Sequence, residues 1–492
     1  MKYLGISSGF HDAAATVIND DGRILFAGHS ERYSKVKHDK ELSPGLIDDA
    51  FNHFDVDDFE LHYYEKPWMK YLRQLRAGEK PKLSSAFVSN VIGGDLKDNK
   101  IYTHSHHLSH AAGGFQTSPF EEATVVVIDA IGEFDTITIW DARYDNKGKA
   151  VYNKLWSKQY PDSIGLFYSA MTKRVGLRPL DEEYILMGMA AYGDKVKHYA
   201  QLNRDLMQDS LELDFRSNLH TGVPEDFLTG ANEMDIAASS QMLVENLIMN
   251  VMMKARVLGR SNNLVYGGGV ALNCLANRYL SQYYKHIWIM PNPGDAGSSL
   301  GAAALGYGRK VHWENAYLGF NIPGPYPVND LLIALVAGDI VGVASGRAEF
   351  GPRALGNRSL LADPRGAFIK DRVNEIKRRQ QFRPFAPVIL EELASSYFNM
   401  SSGSSNNRYM QFIGDCRHPE LFPAITHADG TSRVQTVPKD GTGIRQLLEK
   451  WYSLTGCPML LNTSLNIRGE PMVNDIADAK RFTEMYNIRV YS

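Results

Sequence analysis

The first half of the chain contains the same succession of elements twice, and this repetition constrains the fold more than any other feature. Residues 2–7 alternate as a strand, a loop of small residues follows, and a hairpin runs through residues 16–28. Residues 123–128 then read as a buried strand, residues 129–133 as a polar loop, and residues 136–142 as the start of a second hairpin. We interpret the two copies as an internal duplication that forms two similar sheets. Two unrelated hairpins are the alternative.

Composition and charge bound the class of protein. A chain of 492 residues is too long for one ordinary core, so two or three domains are expected. The net charge of −3 gives no overall attraction to nucleic acid or to an anionic membrane. No apolar run reaches membrane-spanning length, and the first nine residues are typical of a strand rather than a signal peptide. The three cysteines have no pairing or metal-finger spacing, so we expect a cytoplasmic protein without membrane contact.

A histidine cluster at residues 104–110 is the first candidate for chemistry. His106 and His110 are four residues apart, so a helix would place them on one face, one turn from each other. Two neutral imidazoles at that spacing can bind a divalent metal if carboxylates arrive from elsewhere in the chain. Asp129 and Asp295 each follow a predicted strand, where a functional carboxylate would be exposed. The alternative is a polar surface helix.

A glycine-rich turn follows the strand at residues 264–266. Gly267, Gly268 and Gly269 let the backbone approach a ligand, and the helix that follows directs N–H groups at an anion or ribose. The sequence has no Gly-x-x-x-x-Gly-Lys-Ser/Thr motif, which argues against a P-loop enzyme.

Basic residues concentrate in two places. Residues 66–82 interleave six lysines and arginines with Trp68 and Tyr71, a mixture that suits an anionic or ring-bearing acceptor, including nucleic acid, or the solvated face of a helix. Residues 347–383 contain ten basic residues, several of them beside glycine or proline, as at Arg353 and Arg383. Arginines held by such a rigid backbone are suited to planar recognition of phosphate. A solvated helix explains residues 370–379 equally well.

Ordered motifs make the chain resemble the O-carbamoyltransferases that modify antibiotics and nodulation signals. The motifs of the first half are FHDAAA, HHLSHAAGG, the 129–133 loop, EYILMGMAAYG, GGGVALN and NPGDAGSSLGAA. Those of the second half are EFGPRALGNRSLLADPR, KRRQQFRPFAP, HADGTSRVQTV, TGCP and LNTSLNIRGEP. They occur in family order from near residue 1 to about residue 474.

The resemblance implies an α/β protein with two catalytic domains. Residues 1–318 would form a duplicated domain of the actin and Hsp70 class, similar to Kae1, that binds metal and nucleotide and transfers the carbamoyl group. The proline- and glycine-rich residues 319–327 would link it to a YrdC/Sua5-like domain at residues 328–492. That second domain would make carbamoyl adenylate from carbamoyl phosphate and ATP with Mg²⁺.

Site residues follow from the same resemblance. In the second domain it assigns binding of phosphate, the carbamoyl group or ribose to Arg353, Arg358, Lys377, Arg383, Arg433, Asn462, Ser464 and Asn466. One departure is visible, because Gln380 stands where related sequences commonly have an acidic residue.

In the first domain the resemblance implies a divalent metal, most often iron, held by His106, His110, Asp129 and Asp295. Gly267, Gly268, Gly269 and Asn273 would seat the adenosine. His11 would be the general base for the acceptor hydroxyl, as a neutral imidazole, and Asp12 would orient it or bind the acceptor. His104 and His107 are not expected to be ligands.

The acceptor stays open at this point: a small natural product or a hydroxymethylated nucleobase, free or in DNA. A homodimer also stays open. Two other functions compete with carbamoyl transfer to a small hydroxyl compound. One is an enzyme of threonylcarbamoyladenosine synthesis, and the other is a nucleotide-binding regulatory module of the actin and Hsp70 class.

Overall fold

The structure is a computed structural model that describes residues 1–53, 58–366, 368–401 and 407–492. It is a mixed α/β protein, as predicted, with two compact units. The first unit comprises residues 1–34 and 38–314, and the second comprises residues 35–37 and 315–492.

Twelve strands and eleven α-helices are described in the first unit. The strands are β1 (Lys2–Ser7), β2 (Ala14–Asn19), β3 (Ile24–His29), β4 (Phe59–Tyr63), β5 (Ile101–Thr103), β6 (Glu122–Gly132), β7 (Asp135–Tyr144), β8 (Ala150–Gln159), β9 (Met207–Asp209), β10 (Asp214–Phe215), β11 (Asn263–Gly267) and β12 (His286–Trp288). The helices are α1 (Glu31–Ser34), α2 (Pro44–Phe51), α3 (Pro67–Arg76), α4 (Val88–Ile92), α5 (His106–Thr117), α6 (Ile164–Arg174), α7 (Glu183–Met189), α8 (Tyr199–Leu206), α9 (Glu233–Leu258), α10 (Cys274–Asn277) and α11 (Ser298–Tyr307).

The two main sheets of the first unit have the same topology. The first has the strand order β3-β2-β1-β4-β5, and the second, read in the same sense, has the order β8-β7-β6-β11-β12. In both sheets the central strand, β1 or β6, pairs antiparallel with the next strand of its hairpin, β2 or β7. On its other side it pairs parallel with β4 or β11. The duplication predicted from the sequence is therefore present in the structure. Strand β6 extends to Gly132, so Asp129 lies on a strand with an irregular register rather than in a loop.

Helices α5 and α11 approach each other closely because both carry glycine at the contact. A Cβ built on Gly301 would lie 1.8 Å from the backbone oxygen of Ser109, and one on Gly113 would lie 3.3 Å from the nitrogen of Gly301. Only glycine at position 301 therefore allows this separation. The contact sets the distance between the histidines of α5 and the turn that precedes α11.

Eleven strands and five α-helices are described in the second unit. The strands are β13 (Tyr317–Ile322), β14 (Val341–Ala344), β15 (Gly346–Glu349), β16 (Arg358–Ala362), β17 (Ala386–Leu390), β18 (Phe398–Met400), β19 (Ile413–Cys416), β20 (Thr431–Arg433), β21 (Gln435–Val437), β22 (Met459–Ser464) and β23 (Val490–Tyr491). The helices are α12 (Val328–Val336), α13 (Ile369–Ile376), α14 (Ala394–Tyr397), α15 (Gly443–Thr455) and α16 (Ile476–Tyr486).

The main sheet of the second unit has six strands in the order β21-β17-β22-β16-β14-β23, and it is covered on both faces. Leu360 and Leu461 pack into one apolar cluster, whereas their neighbours Leu361 and Leu460 pack into another. Successive side chains of a strand point to opposite faces of the sheet. Because both faces are buried here, nearly every residue of a central strand must be apolar.

The segment predicted as a connector, residues 319–327, is only partly irregular. Its first residues belong to β13, which pairs with β15 of the second unit, and the first unit ends at Glu314. Ile322 is buried in the main apolar cluster of the second unit, whereas residues 323–325 are exposed. Within the described residues, none of the helices combines the length and the apolar character that crossing a membrane requires.

Candidate active site

Helix α5 carries the first group of site residues. It begins at His106, and His106, His107 and His110 are all buried. The Nε2 atoms of His106 and His110 lie 3.1 Å apart, as expected for side chains one helical turn from each other. Two basic nitrogens therefore face the same point.

Asp129 and Asp295 reach that point from two other elements. Asp129 Oδ2 lies 3.1 Å from His106 Nε2 and 3.2 Å from His110 Nε2, and Asp295 Oδ1 lies 3.4 Å from both nitrogens. Asp129 is on β6, and Asp295 opens the 3-10 turn before α11. One ligand atom from each of the four residues falls within a 4.8 Å span.

The electrostatics of these four residues favour a bound cation. Burial disfavours the charged form of His106, but the carboxylates of Asp295 and Asp129 outweigh burial and raise its pKa. Burial likewise opposes the charge of Asp129, but hydrogen bonds from His106 and His110 hold its pKa well below the usual value. Two imidazole nitrogens and two carboxylate oxygens are a donor set that fits a divalent metal ion of the first transition row.

Two buried glutamates, which sequence reasoning missed, support His106 from behind. Glu65 Oε2 lies 3.6 Å from His106 Nδ1, and Lys70 Nζ donates to the other oxygen of Glu65 at 3.0 Å. Glu133 Oε1 accepts from the backbone N–H of Lys66 at 2.7 Å and of His106 at 3.4 Å. It therefore caps the start of α5. Glu65 lies 41 residues before His106, and no pattern links the two; Glu133 ends the 129–133 loop, but nothing in that loop indicates a contact with His106 27 residues earlier.

The other two histidines of the cluster have partners elsewhere. His107 Nδ1 lies 2.9 Å from Thr138 Oγ1, and His104 Nε2 lies 3.0 Å from His62 Nδ1. Neither is among the four convergent residues.

The glycine-rich turn lies beside Asp129. Gly268 has a φ of +86°, and a Cβ there would be 2.2 Å from the carbonyl oxygen of Ile128. The N–H of Gly269 lies 3.4 Å from Asp129 Oδ1. Asn273 is placed differently from the expectation that it seats adenosine. Its Oδ1 caps α10, and its amide exchanges hydrogen bonds with Gln241 at 2.9 and 3.1 Å, so its polar atoms are used within the protein.

His11 and Asp12 form a close pair. His11 Nδ1 lies 2.7 Å from Asp12 Oδ2, and His11 Nε2 lies 2.9 Å from the carbonyl oxygen of Leu180. Both acceptors are oxygens, so both ring nitrogens carry protons. Burial disfavours this charge, but Asp12 outweighs burial and raises the pKa of His11 to about 9. We expected a neutral imidazole at neutral pH; in this arrangement the ring is an imidazolium.

His38 is a third member of this group, and sequence reasoning missed it. Its Nδ1 lies 2.8 Å from Asp12 Oδ1, its Nε2 lies 3.1 Å from Asp181 Oδ1, and its ring stacks on that of His11 at 4.6 Å. It lies in a polar, lysine-rich stretch with no motif that sequence reasoning had singled out.

In the second unit, Lys377 lies at the centre of a polar cluster. Its Nζ donates to Asn466 Oδ1 at 2.6 Å and lies 3.3 Å from Ser464 Oγ, which itself donates to Asn466 Oδ1 at 2.7 Å. Burial, together with Arg379 and Arg383, holds the pKa of Lys377 well below its usual value. Burial and the neighbouring arginines thus disfavour the charged amine, and a bound anion would stabilise it.

The structure does not place Arg358 for ligand binding. Its guanidinium is fully buried, and its N–H groups donate to the backbone carbonyl oxygens of Phe320, Ser345, Gly346, Asn357 and Asn474 at 2.9–3.2 Å. The family resemblance implied a phosphate ligand here, but the side chain points into the fold.

The remaining predicted residues of the second unit differ in burial. Arg353, Arg383 and Arg433 are half-buried. Asn462 is buried, and its Nδ2 donates to Gln435 Oε1 at 2.7 Å and to the carbonyl oxygen of Ala354 at 3.0 Å.

The chain belongs to the carbamoyltransferase family. The model of the carbamoyltransferase N-terminus matches residues 2–304, and the model of the carbamoyltransferase C-terminus matches residues 333–491. The protein is thus a carbamoyltransferase, as the sequence motifs predicted.

Individual relatives match over nearly the whole chain. The chain is 31% identical to nodulation protein NolNO of Sinorhizobium fredii, over 95% of this chain and 76% of that protein. It is 28% identical to the 3'-hydroxymethylcephem-O-carbamoyltransferase of Amycolatopsis lactamdurans, over 97% of this chain and 95% of that enzyme. Component A of (R)-2-hydroxyglutaryl-CoA dehydratase from Acidaminococcus fermentans is a solved structure that is 17% identical. It matches 62% of this chain and 98% of its own with a TM-score of 0.36, too low to establish a shared fold.

Proposed function

We propose that the protein is an ATP-dependent O-carbamoyltransferase that makes carbamoyl adenylate from carbamoyl phosphate and ATP, with Mg²⁺, and transfers the carbamoyl group to a hydroxyl. The observation that carries this proposal is the match to both family domains together with two separate polar centres, one in each unit. Two centres suit two steps, activation and transfer.

Activation is assigned to the second unit, which we propose to be a YrdC-like domain. The cluster of Lys377, Ser464 and Asn466 offers a buried amine and short polar side chains to an anionic donor, and Arg383 is close enough to lower the pKa of Lys377. Half-buried Arg353 and Arg433 would bind further phosphate oxygens. Arg358 has no part in this step.

Transfer is assigned to the first unit, whose doubled sheet topology supports an actin-like, Kae1-like fold. His106, His110, Asp129 and Asp295 would hold a divalent metal, which we propose to be Fe²⁺. A bound metal there supplies Lewis-acid stabilisation of phosphate oxygens. The turn formed by Gly267, Gly268 and Gly269 would seat the adenosine, and the contact of the Gly269 N–H with Asp129 Oδ1 at 3.4 Å puts this turn beside the four residues.

His11 is the proposed general base. When an acceptor hydroxyl takes the place of the Leu180 carbonyl and the ring has lost its Nε2 proton, Nε2 accepts the proton of that hydroxyl. The oxygen then bonds to the carbamoyl carbon, and AMP leaves with the bond electrons. Asp12 stabilises the imidazolium that results.

The acceptor is proposed to be a small hydroxyl compound rather than nucleic acid. The relative from Amycolatopsis lactamdurans is named for a hydroxymethyl cephem. The basic residues of α3 are also less available than the sequence suggested, because Lys70 pairs with Glu65, and buried Arg73 pairs with Glu79 at 3.3 Å.

Incubation with carbamoyl phosphate, ATP, Mg²⁺ and Fe²⁺ against a panel of hydroxyl compounds and hydroxymethylated DNA tests this proposal. Mass spectrometry should detect replacement of a hydroxyl hydrogen by CONH2 in a small compound. Modification of the DNA alone would refute the acceptor class. ATP binding without any carbamoyl product would instead favour the regulatory module.

A further inference from the structure

Asp12 lies between two histidines, of which the proposed function uses only His11. The carboxylate divides its two oxygens between them, with Oδ2 2.7 Å from His11 Nδ1 and Oδ1 2.8 Å from His38 Nδ1. A carboxylate held at both oxygens cannot rotate without breaking one of the two hydrogen bonds. The orientation of Asp12 toward His11 therefore depends on His38.

The contacts of His38 lead back to His11 through Asp181 and Leu180, so the four residues and Asp12 form a closed circuit of contacts. His38 Nε2 lies 3.1 Å from Asp181 Oδ1, and the preceding residue, Leu180, presents its carbonyl oxygen to His11 Nε2 at 2.9 Å. Arg178 holds the other oxygen of Asp181 at 2.8 Å. The same short segment thus contacts both histidines.

Three residues of this circuit of contacts, none of them glycine, have a left-handed backbone. The φ angles are 50° at Asp12, 56° at His38 and 63° at Leu180. Such conformations are uncommon outside glycine, more so for leucine than for aspartate or histidine, and they persist where surrounding contacts over-determine them. Because three such conformations occur together, we infer that the fold specifically maintains this circuit of contacts.

We propose that His38 is a positioning residue of the transfer step: its Nδ1 fixes Asp12 for His11, and its Nε2 fixes Asp181, which keeps the Leu180 carbonyl on His11 until an acceptor hydroxyl replaces it. The inference rests on the proposed role of His11 as general base.

Charged groups from several elements surround the two rings. Besides Asp12 and Asp181, they include Glu31, whose Oε2 accepts the backbone N–H of His38 at 3.0 Å, Arg178 on Asp181, and Asp295, which raises the pKa of His11. Lys37 and Asp39 flank His38 in the chain, and Arg32 lies 3.9 Å from Glu31. The nearby His29 is buried neutral, because burial lowers its pKa to about 3.

Two substitutions separate the two contacts of His38. Asparagine places an amide nitrogen where Nδ1 was and keeps the donor to Asp12, whereas glutamine places its amide nitrogen where Nε2 was and keeps the donor to Asp181. Both remove the ring charge, so a difference between His38→Asn and His38→Gln reports position alone.

The first readout needs no acceptor. The titration of His11 is followed by NMR of the full-length, ¹⁵N-histidine-labelled protein, and its signals are identified by their loss in His11→Asn. We expect a midpoint about one pH unit higher in His38→Asn than in His38→Gln, the effect of one charge-assisted hydrogen bond. Equal midpoints would overturn the inference.

The second readout is the rate of carbamoyl transfer to each panel compound that the wild-type protein modifies. We expect kcat to be at least about tenfold lower in His38→Gln than in His38→Asn, with carbamoyl adenylate formation unchanged in both. Equal kcat values would count against a positioning role. His286→Asn, at an exposed histidine, is the matched control and should leave both readouts unchanged. If the wild-type protein modifies no compound, the proposed function fails, but the NMR midpoints still decide the role of His38.

Discussion

The Nε2 atoms of His106 and His110 lie 3.1 Å apart, and each lies within 3.4 Å of the carboxylates of Asp129 and Asp295. If both rings were protonated, their positive charges would repel each other at this separation, and the two carboxylates are needed to offset that repulsion. A divalent cation satisfies all four groups at once.

Replacing His106 by alanine should abolish metal binding and carbamoyl transfer and spare carbamoyl adenylate formation, because only the first unit loses a ligand. Mass spectrometry of the metal content checks the loss of metal binding. An assay with labelled ATP checks that carbamoyl adenylate formation is spared. His286→Ala is the control at an exposed histidine. Loss of both activities in His106→Ala would contradict the assignment of the two steps to two centres.

Transfer should accelerate as the pH rises from 7 toward 9. The pKa of His11 is raised to about 9, and only the neutral ring accepts a proton, so the active fraction grows through this range. The pH profile of kcat/KM reports this group in the free enzyme. A profile that falls between pH 7 and 9 would exclude His11 as the base.

Gly301→Ala should separate α5 from α11 and weaken metal binding, because the new Cβ would lie 1.8 Å from the backbone oxygen of Ser109. Overpacking of this kind costs about 1–3 kcal/mol. Gly294→Ala is the matched control, since its Cβ meets nothing within 4 Å although it adjoins Asp295. Metal dissociation constants should rise only in Gly301→Ala, and equal values in both variants would refute this role of the helix contact.

Arg358→Met should destabilise the second unit by about 3 kcal/mol or more, because it leaves several buried carbonyl oxygens without a donor. Hydrogen exchange of β14 and β16 measures this loss. Arg372→Met, at an exposed residue of α13, should change protection little. Unchanged protection in Arg358→Met, with weaker binding of carbamoyl phosphate, would restore the role first predicted for Arg358.

Local patterns predicted the elements that carry the site. The spacing of His106 and His110 indicated one face of a helix, and the positions of Asp129 and Asp295 after strands indicated exposed carboxylates; the structure brings all four together. The repeated strand and hairpin pattern predicted the two similar sheets.

Contacts between distant parts of the chain were not predictable in the same way. His38 meets Asp181 across 143 residues, and neither residue has a pattern that names the other. The direction of a side chain was equally hidden, because Arg353 and Arg358 belong to the same motif, EFGPRALGNRSLLADPR, yet Arg353 is half-buried and Arg358 is fully buried. Sequence patterns therefore identified candidate residues, and the tertiary structure shows which of them lie together.

The products of ATP consumption test the central claim most directly. Carbamoyl adenylate formation releases pyrophosphate and phosphate only when carbamoyl phosphate is present, and AMP stays in the adenylate until transfer or hydrolysis frees it. Lys377→Met should abolish pyrophosphate release while Arg372→Met does not, because only Lys377 belongs to the buried cluster. Pyrophosphate should appear after incubation with carbamoyl phosphate and not without it, and chromatography of the nucleotides should show carbamoyl adenylate, or the AMP freed from it, in the first case alone. Release of ADP, or ATP consumption that does not depend on carbamoyl phosphate, would contradict the account.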